Sequence, residues 1–191
     1  MSVRGRLIIF LVTVFGVILL FVWLFSKLSP STTAKTGSKA PIVLTNYIDK
    51  NSAVEFTIDG PVNSEELHRS IRITVGPGNR EMDVIQGYQN TIINSKAYSN
   101  NQTAYDVFLR SLSIANFTKL NKSRITDDRG VCPLGDRDIY RLLNNDAQLL
   151  RSWTSTCGVG TTGSSSAVIN NLFEQQIPDF NTLIRGVNLP L

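Results

Sequence analysis

Residues 7–25 run without a single charge and almost without a polar side chain, from Leu7 through Phe10, Val14 and Leu20 to Phe25, and this run limits what the chain can be. At about 1.5 Å per residue it makes roughly 28 Å of helix, close to the ~30 Å hydrocarbon core of a bilayer. A lone span in lipid has to satisfy its own backbone polar groups, which a helix does. Trp23 near one end suits the headgroup interface. A secretory signal has a shorter apolar core, about 7–15 residues, closed by a small-x-small cleavage site. Here the first such site, Thr32-Thr33-Ala34, stands well beyond the run. The expectation is a retained signal-anchor: a short cytoplasmic N-terminus at 1–6, a single transmembrane helix at 7–25, and the lipid bilayer as its partner. Arg4 and Arg6 adjoin the run, whereas Lys27, Lys35 and Lys39 follow it loosely. The positive-inside tendency then keeps the N-terminus in the cytoplasm and the rest of the chain outside the cell membrane.

The residues at 26–41 are Ser, Thr, Lys, Ala, Gly and Pro for the most part. Such a composition buries too little apolar surface to fold, so it reads as a flexible stalk spanning about 20 Å on average. Beyond it, residues 42–191 are long enough for one extracytoplasmic domain. The formal charge of the whole chain is +4, but residues 42–191 hold 14 Lys+Arg against all 15 Asp+Glu. The excess positive charge therefore flanks the anchor. The folded part has no basic excess of the kind a nucleic-acid partner requires.

Within 42–191 the patterning predicts an α+β domain, an antiparallel sheet of about four to six strands packed with two main helices. Val54, Phe56 and Ile58 alternate with Glu55, Thr57 and Asp59 up to Gly60-Pro61. A turn at Gly76–Asn79 pairs Val75 with Arg80, Ile73 with Met82 and Ile71 with Val84, and the same register sets Arg72 against Asp83. Asn101 is a candidate N-cap for a helix whose apolar stripe is Tyr105, Phe108, Leu109 and Leu112. Ser165 or Ser166 can cap a second helix carrying Val168, Ile169, Leu172 and Phe173, stopped by Pro178. Phe180, Leu183 and Ile184 suggest a last helical turn ending at Gly186.

Cys132 and Cys157 are the two cysteines of the chain. Asn tolerates the positive φ of a tight hairpin turn. A two-residue turn at Asn144-Asn145 pairs Leu142 with Ala147, Tyr140 with Leu149 and Asp138 with Arg151. Continued outward, that register sets Cys132 opposite Cys157, within reach of a disulfide. Closing a loop of about 26 residues contributes roughly 3.5 kcal/mol in the chain-entropy model. A structural disulfide is the expectation, in keeping with an extracytoplasmic domain.

The signals for chemistry are weaker. Gly158, Gly160 and Gly163 match G-x-G-x-x-G between a strand and a helix, but too little chain follows for a βαβ unit. The loop reads as a connector, with anion binding by its amides at the helix N-terminus as the functional alternative. His68, the single histidine, sits in Glu65-Glu66-Leu67-His68-Arg69. It lacks the second Glu-x-x-His of a di-metal site and the companions of a zinc site, and reads as a surface histidine beside carboxylates. Asp127-Asp128 and Asp136-x-Asp138 do not match a calcium loop and read as turn residues. No catalytic residue, cofactor or metal ligand is assigned. Asn101, Asn116 and Asn121 head sequons, which matter only in a glycosylating source.

The stretches Arg129-Gly-Val-Cys-Pro-Leu-Gly135, Trp153-Thr-Ser-Thr-Cys-Gly158 and Phe173-Glu-Gln-Gln-Ile-Pro-Asp-Phe180 resemble short membrane-anchored proteins of small-genome symbiotic bacteria. The resemblance implies a bacterial cell-surface protein and leaves the sequons unused. With no assembled catalytic set, the leading expectation is a non-enzymatic binding or structural component of the cell envelope, with a protein or other envelope partner. The alternatives are a carboxylate-based hydrolase of cell wall or glycan, and a pilin-like filament subunit. For the last, Gly5 precedes the apolar run, but Phe10 stands where such subunits usually carry a glutamate.

Overall fold

The computed structural model describes residues 14–17, 19–20, 41–48 and 51–187. The chain divides into two units, Met1–Ala40 and Pro41–Leu191. In the first, residues 14–17 and 19–20 are helical and exposed. The remainder of the expected anchor at 7–25, the N-terminus at 1–6 and the stalk up to residue 40 lie outside the described residues. Among the described residues, no helix is long and apolar enough to cross a membrane.

The second unit is an α+β domain on one six-stranded sheet. After a 3-10 turn at Leu44–Tyr47, the strands are β1 (Ser52–Asp59), β2 (Arg69–Val75), β3 (Asn79–Gln86), β4 (Thr91–Ser99), β5 (Arg137–Asn144) and β6 (Ala147–Ser155). The helices are α1 (Gln102–Ile114), α2 (Ser166–Glu174) and the short α3 (Phe180–Leu183). The sheet order is β4-β3-β2-β1-β5-β6 and every neighbouring pair is antiparallel. Alternation places one face of this sheet in the core. That face is Val54, Phe56 and Ile58 of β1, Ile71, Ile73 and Val75 of β2, Met82 and Val84 of β3, with Tyr140 and Leu142 of β5. The buried stripe of α1, Tyr105, Phe108, Leu109 and Leu112, packs in the same cluster. Its N-cap Asn101 accepts a 2.9 Å hydrogen bond from the Ala104 amide, as its position before the stripe predicts.

The β2–β3 hairpin has the expected register throughout, including Arg72 opposite Asp83 with Nη2 2.7 Å from Oδ2. The β5–β6 hairpin does not. Its turn is Asn145-Asp146, with φ of 47° and 64°, between the paired Asn144 and Ala147. Both central residues of a type I′ turn need positive φ, and an Asn-Asp pair fills them as readily as Asn-Asn. A bulge between Leu142 and Leu143 then adds one more step. Leu142 consequently pairs with Leu150, Tyr140 with Ser152 and Asp138 with Thr154, rather than with Ala147, Leu149 and Arg151.

The Cys132–Cys157 disulfide is present, with Cα atoms 5.7 Å apart. It joins the two turns beyond the hairpin rather than a strand pair, because β5 begins only at Arg137 and Cys132 has a φ of 53°. Gly135 permits the close approach: a Cβ there would lie 2.2 Å from Thr156 Oγ1 and 2.7 Å from Cys132 Sγ.

Cys132→Ser and Cys157→Ser are each expected to lower stability by about 2–5 kcal/mol, and the double variant by no more than either single one. Urea titration of the three proteins checks this. Asp146→Gly is expected to stabilise the domain by up to about 1 kcal/mol, because relief of the left-handed penalty of about 1–2 kcal/mol exceeds the added unfolded-chain entropy of about 0.5–1 kcal/mol. The same change at Asn144, a ladder residue, should not.

Candidate functional site

The face of the sheet opposite the helices carries the charged half of each strand's alternation, and nearly every charge on it is paired. Glu55 of β1 meets Arg141 of β5 at 3.2 Å, and Arg72 of β2 meets Asp83 of β3. Arg151 of β6 reaches Asp128 at 2.7 Å, which replaces the expected Asp138–Arg151 pair. Asp59, at the end of β1, is shared. Its Oδ2 accepts from Nε and Nη2 of the buried Arg137, and its Oδ1 lies 2.9 Å from His68 Nε2.

His68 is therefore not the surface residue its flanking carboxylates suggest: it is 2% exposed. Its Nδ1 is 3.0 Å from the carbonyl oxygen of Pro61, and its ring stacks on Tyr88 with centroids 4.2 Å apart. A carbonyl oxygen only accepts, so Nδ1 carries a proton, while Nε2 faces a carboxylate. Neither nitrogen is left to take a proton from a substrate. Among the described residues no group of three His, Cys, Asp or Glu could hold a metal ion.

On the helix side, Asp138 accepts a 2.8 Å hydrogen bond from Asn170 Nδ2 of α2, and Tyr140 donates to Asn170 Oδ1 at 2.6 Å. This polar bridge pins α2 to β5. Burial raises the Asp138 carboxyl above its ordinary range despite the Asn170 hydrogen bond. Burial raises Asp136 and Glu174 likewise, with the Asp138 charge adding to both. Asp127 behaves oppositely: hydrogen bonds from the Arg129 side chain and amide hold it at about 2.

The glycine-rich loop is built for close packing. A Cβ at Gly160 would lie 2.3 Å from the Trp153 carbonyl oxygen, and one at Gly163 3.0 Å from the Leu120 backbone. Thr161 and Thr162 amides donate to Trp153, so the loop straps the outer edge of β6. Of the three glycines proposed as an anion loop, Gly158 donates its amide to Ser155 and Gly163 its amide to Lys119.

The other feature of the helix layer is a long uncharged groove between α1 and α2, apolar at one end and mixed at the other. At one end a depression of about 610 Å³ is lined by Ile114, Ala115, Ser164, Val168 and Leu172 among others. It shares Ser111 and Leu172 with a second depression of about 800 Å³, which continues to Ala104, Val107 and Gln176. Ile114 is 82% exposed, Val107 59% and Val168 51%. Val168 was expected on the buried stripe of α2; instead Ile169 and Phe173 fill the core and Val168 forms the groove wall. The signal in the sequence was Val107 and Ile114, seven residues apart and outside the buried stripe of α1, which puts both on one line of the helix surface.

A raised carboxylate binds protons more readily in the folded than in the unfolded chain, so its contribution opposes folding above the raised pKa and is relieved as pH falls through it. Asp138→Asn keeps an acceptor for Asn170 and removes the charge. Between pH 7 and the ordinary carboxylate range, urea midpoints of the wild type should rise relative to those of Asp138→Asn as pH falls. No protein-family model matches the chain, and no curated protein matches it either.

Proposed function

We propose that this chain is a membrane-anchored component of the cell envelope, whose outer domain holds an amphipathic helix of a protein partner in the α1–α2 groove. The observation that supports the reading best is the groove itself. It runs along a helix of 13 residues, about 20 Å, and its walls are uncharged. Exposed Val107 and Ile114 on α1 and Val168 on α2 supply apolar contacts for the i/i+3/i+4/i+7 anchors of a docked amphipathic helix. A groove of this length suits a helix of three to four turns better than a small solute. The anchor at 7–25 and the disulfide favour a domain held outside the cytoplasm.

The raised carboxyls of Asp136, Asp138 and Glu174 favour the hydrolase reading, since a general acid needs such a shift. Asp138, however, is already committed to Asn170, and none of the three lines the groove.

Protease added to spheroplasts should digest residues 42–191, with protection until lysis reversing the topology. A photo-crosslinking residue at Val107, Ile114 or Val168 should yield one common adduct in intact cells, and one at Thr74 on the opposite sheet face should not. Ile114→Asp should abolish the adduct without lowering the melting temperature, because the side chain is exposed. Adducts of equal yield from both faces would defeat the groove.

A further inference from the structure

On the sheet face away from the groove lies a cavity of about 320 Å³. We propose that it is a binding site for an oxyanion, a phosphoryl or carboxylate group presented by a ligand from outside the chain. Its floor is Thr57, Ile85 and Ile139, and Arg72, Arg141 and Arg129 stand around it. Thr57 pairs with Arg72 of β2 on one side and with Ile139 of β5 on the other. Arg141, two residues beyond Ile139 and opposite Glu55, also lines the cavity, so the two strand-borne guanidiniums come from the strands that flank β1.

The chemistry follows from counting what the protein leaves unused. Each guanidinium has five N–H donors. Arg72 commits Nη2 to Asp83, Arg141 commits Nη1 to Glu55, and Arg129 commits Nε and Nη2 to Asp127. Donors therefore remain on all three. The carboxylate in the lining, Asp59, has both oxygens taken, by His68 and Arg137. Thr57 and Ser70 line the cavity, and no protein hydrogen bond among the described residues engages either hydroxyl. Arg141 Nε is buried and has no hydrogen-bond partner among the described residues. A buried donor without a partner is costly, and one on a residue that lines a cavity marks a position a ligand atom can complete. The site thus offers donors and two adaptable hydroxyls with its acid saturated, a set that selects an acceptor. Guanidinium geometry matches the paired oxygens of a carboxylate or phosphoryl group.

The wall is fixed in advance. Tyr88 rests on His68, its amide donates to Glu65, and its hydroxyl donates to the Asn63 carbonyl. Gly87, at a φ of 69°, lets Glu65 close over the turn, where a Cβ would meet Glu65 Oε1 at 2.2 Å. With these groups already ordered, little conformational entropy is lost on binding. The site shares no lining residue with the groove and does not depend on its occupant.

The test uses the full chain in a nonionic detergent at low ionic strength, with inorganic phosphate and glucuronate as probes and matched sodium chloride as control. Titration calorimetry should show saturable one-to-one binding of at least one probe and none of chloride. Phosphate as the tighter probe points to phosphorylated ligands or lipid headgroups, and glucuronate to acidic glycans; either supports the site. Thr57→Val and Ser70→Ala remove hydroxyls that make no bond in the protein, so the melting temperature should hold while affinity drops about tenfold or more. Arg72→Lys, which keeps the charge but loses the fork, should weaken binding similarly. Absence of saturable binding by both probes, or unchanged affinity in the hydroxyl variants, overturns the proposal.

Discussion

Phe173 is the side chain on which the two layers of the domain meet. Its ring lies 5.5 Å from Phe56 of β1, 5.2 Å edge-on from Phe108 of α1 and 6.2 Å from Phe117. Phe56 in turn stacks on Tyr140 at 5.4 Å. One fully buried ring thus joins both helices to β1 and, through Phe56, to β5, and aromatic pairs of this kind each add about 0.5–1.5 kcal/mol beyond the area they bury. The Tyr140–Asn170–Asp138 bridge sits beside this cluster and sets the rotation of α2. Val168 is thereby turned away from the core and Leu172 sits at its margin, and together they form one wall of the groove.

With both helices on one side, the other face of the sheet has to satisfy its charges by itself. It does so with cross-strand pairs, Glu55–Arg141 and Arg72–Asp83, and with the shared carboxylate of Asp59. Ion pairs open to solvent add little stability, about 0–1 kcal/mol each. Asp83 and Arg137 are different: at 5% and 4% exposure each keeps an uncompensated buried charge if its partner, Arg72 or Asp59, is lost. Pairing holds Arg72 and Arg141 in place, and both line the same cavity with donors that their pairs leave unused.

The parts of the fold written in local pattern were legible. The alternation of β1, the β2–β3 register and the stripe and cap of α1 each follow from residues within a few positions of one another. The β5–β6 register failed because two adjacent positive-φ residues can be drawn from Asn144, Asn145 and Asp146, and only the bulge at Leu142 and Leu143 decides the pairs beyond. The disulfide was still found, since turns are more forgiving than strands of the exact pairing that brings two cysteines together. His68 was misread because its partners Asp59 and Pro61 come from the preceding strand end, and Tyr88 from the next hairpin. β4 carries weak alternation, with eight of its nine positions exposed, so nothing in its pattern reports burial. The groove and the oxyanion cavity are both products of packing: each is lined from elements far apart in the chain.

β1 is where the two faces are coupled. Val54, Phe56 and Ile58 point into the core beneath the helices, and Glu55, Thr57 and Asp59 point the other way. As a central strand between β2 and β5 it is held by hydrogen bonds on both edges, so its position is set by the whole sheet. A substitution at Phe56 therefore disturbs the groove and, through the backbone of Thr57, the cavity as well. One at Thr57 removes a hydroxyl from the cavity while the core side of the strand keeps its packing. This asymmetry follows from packing density: a close-packed interior transmits displacement, whereas a side chain on an open sheet face relaxes into the space beside it.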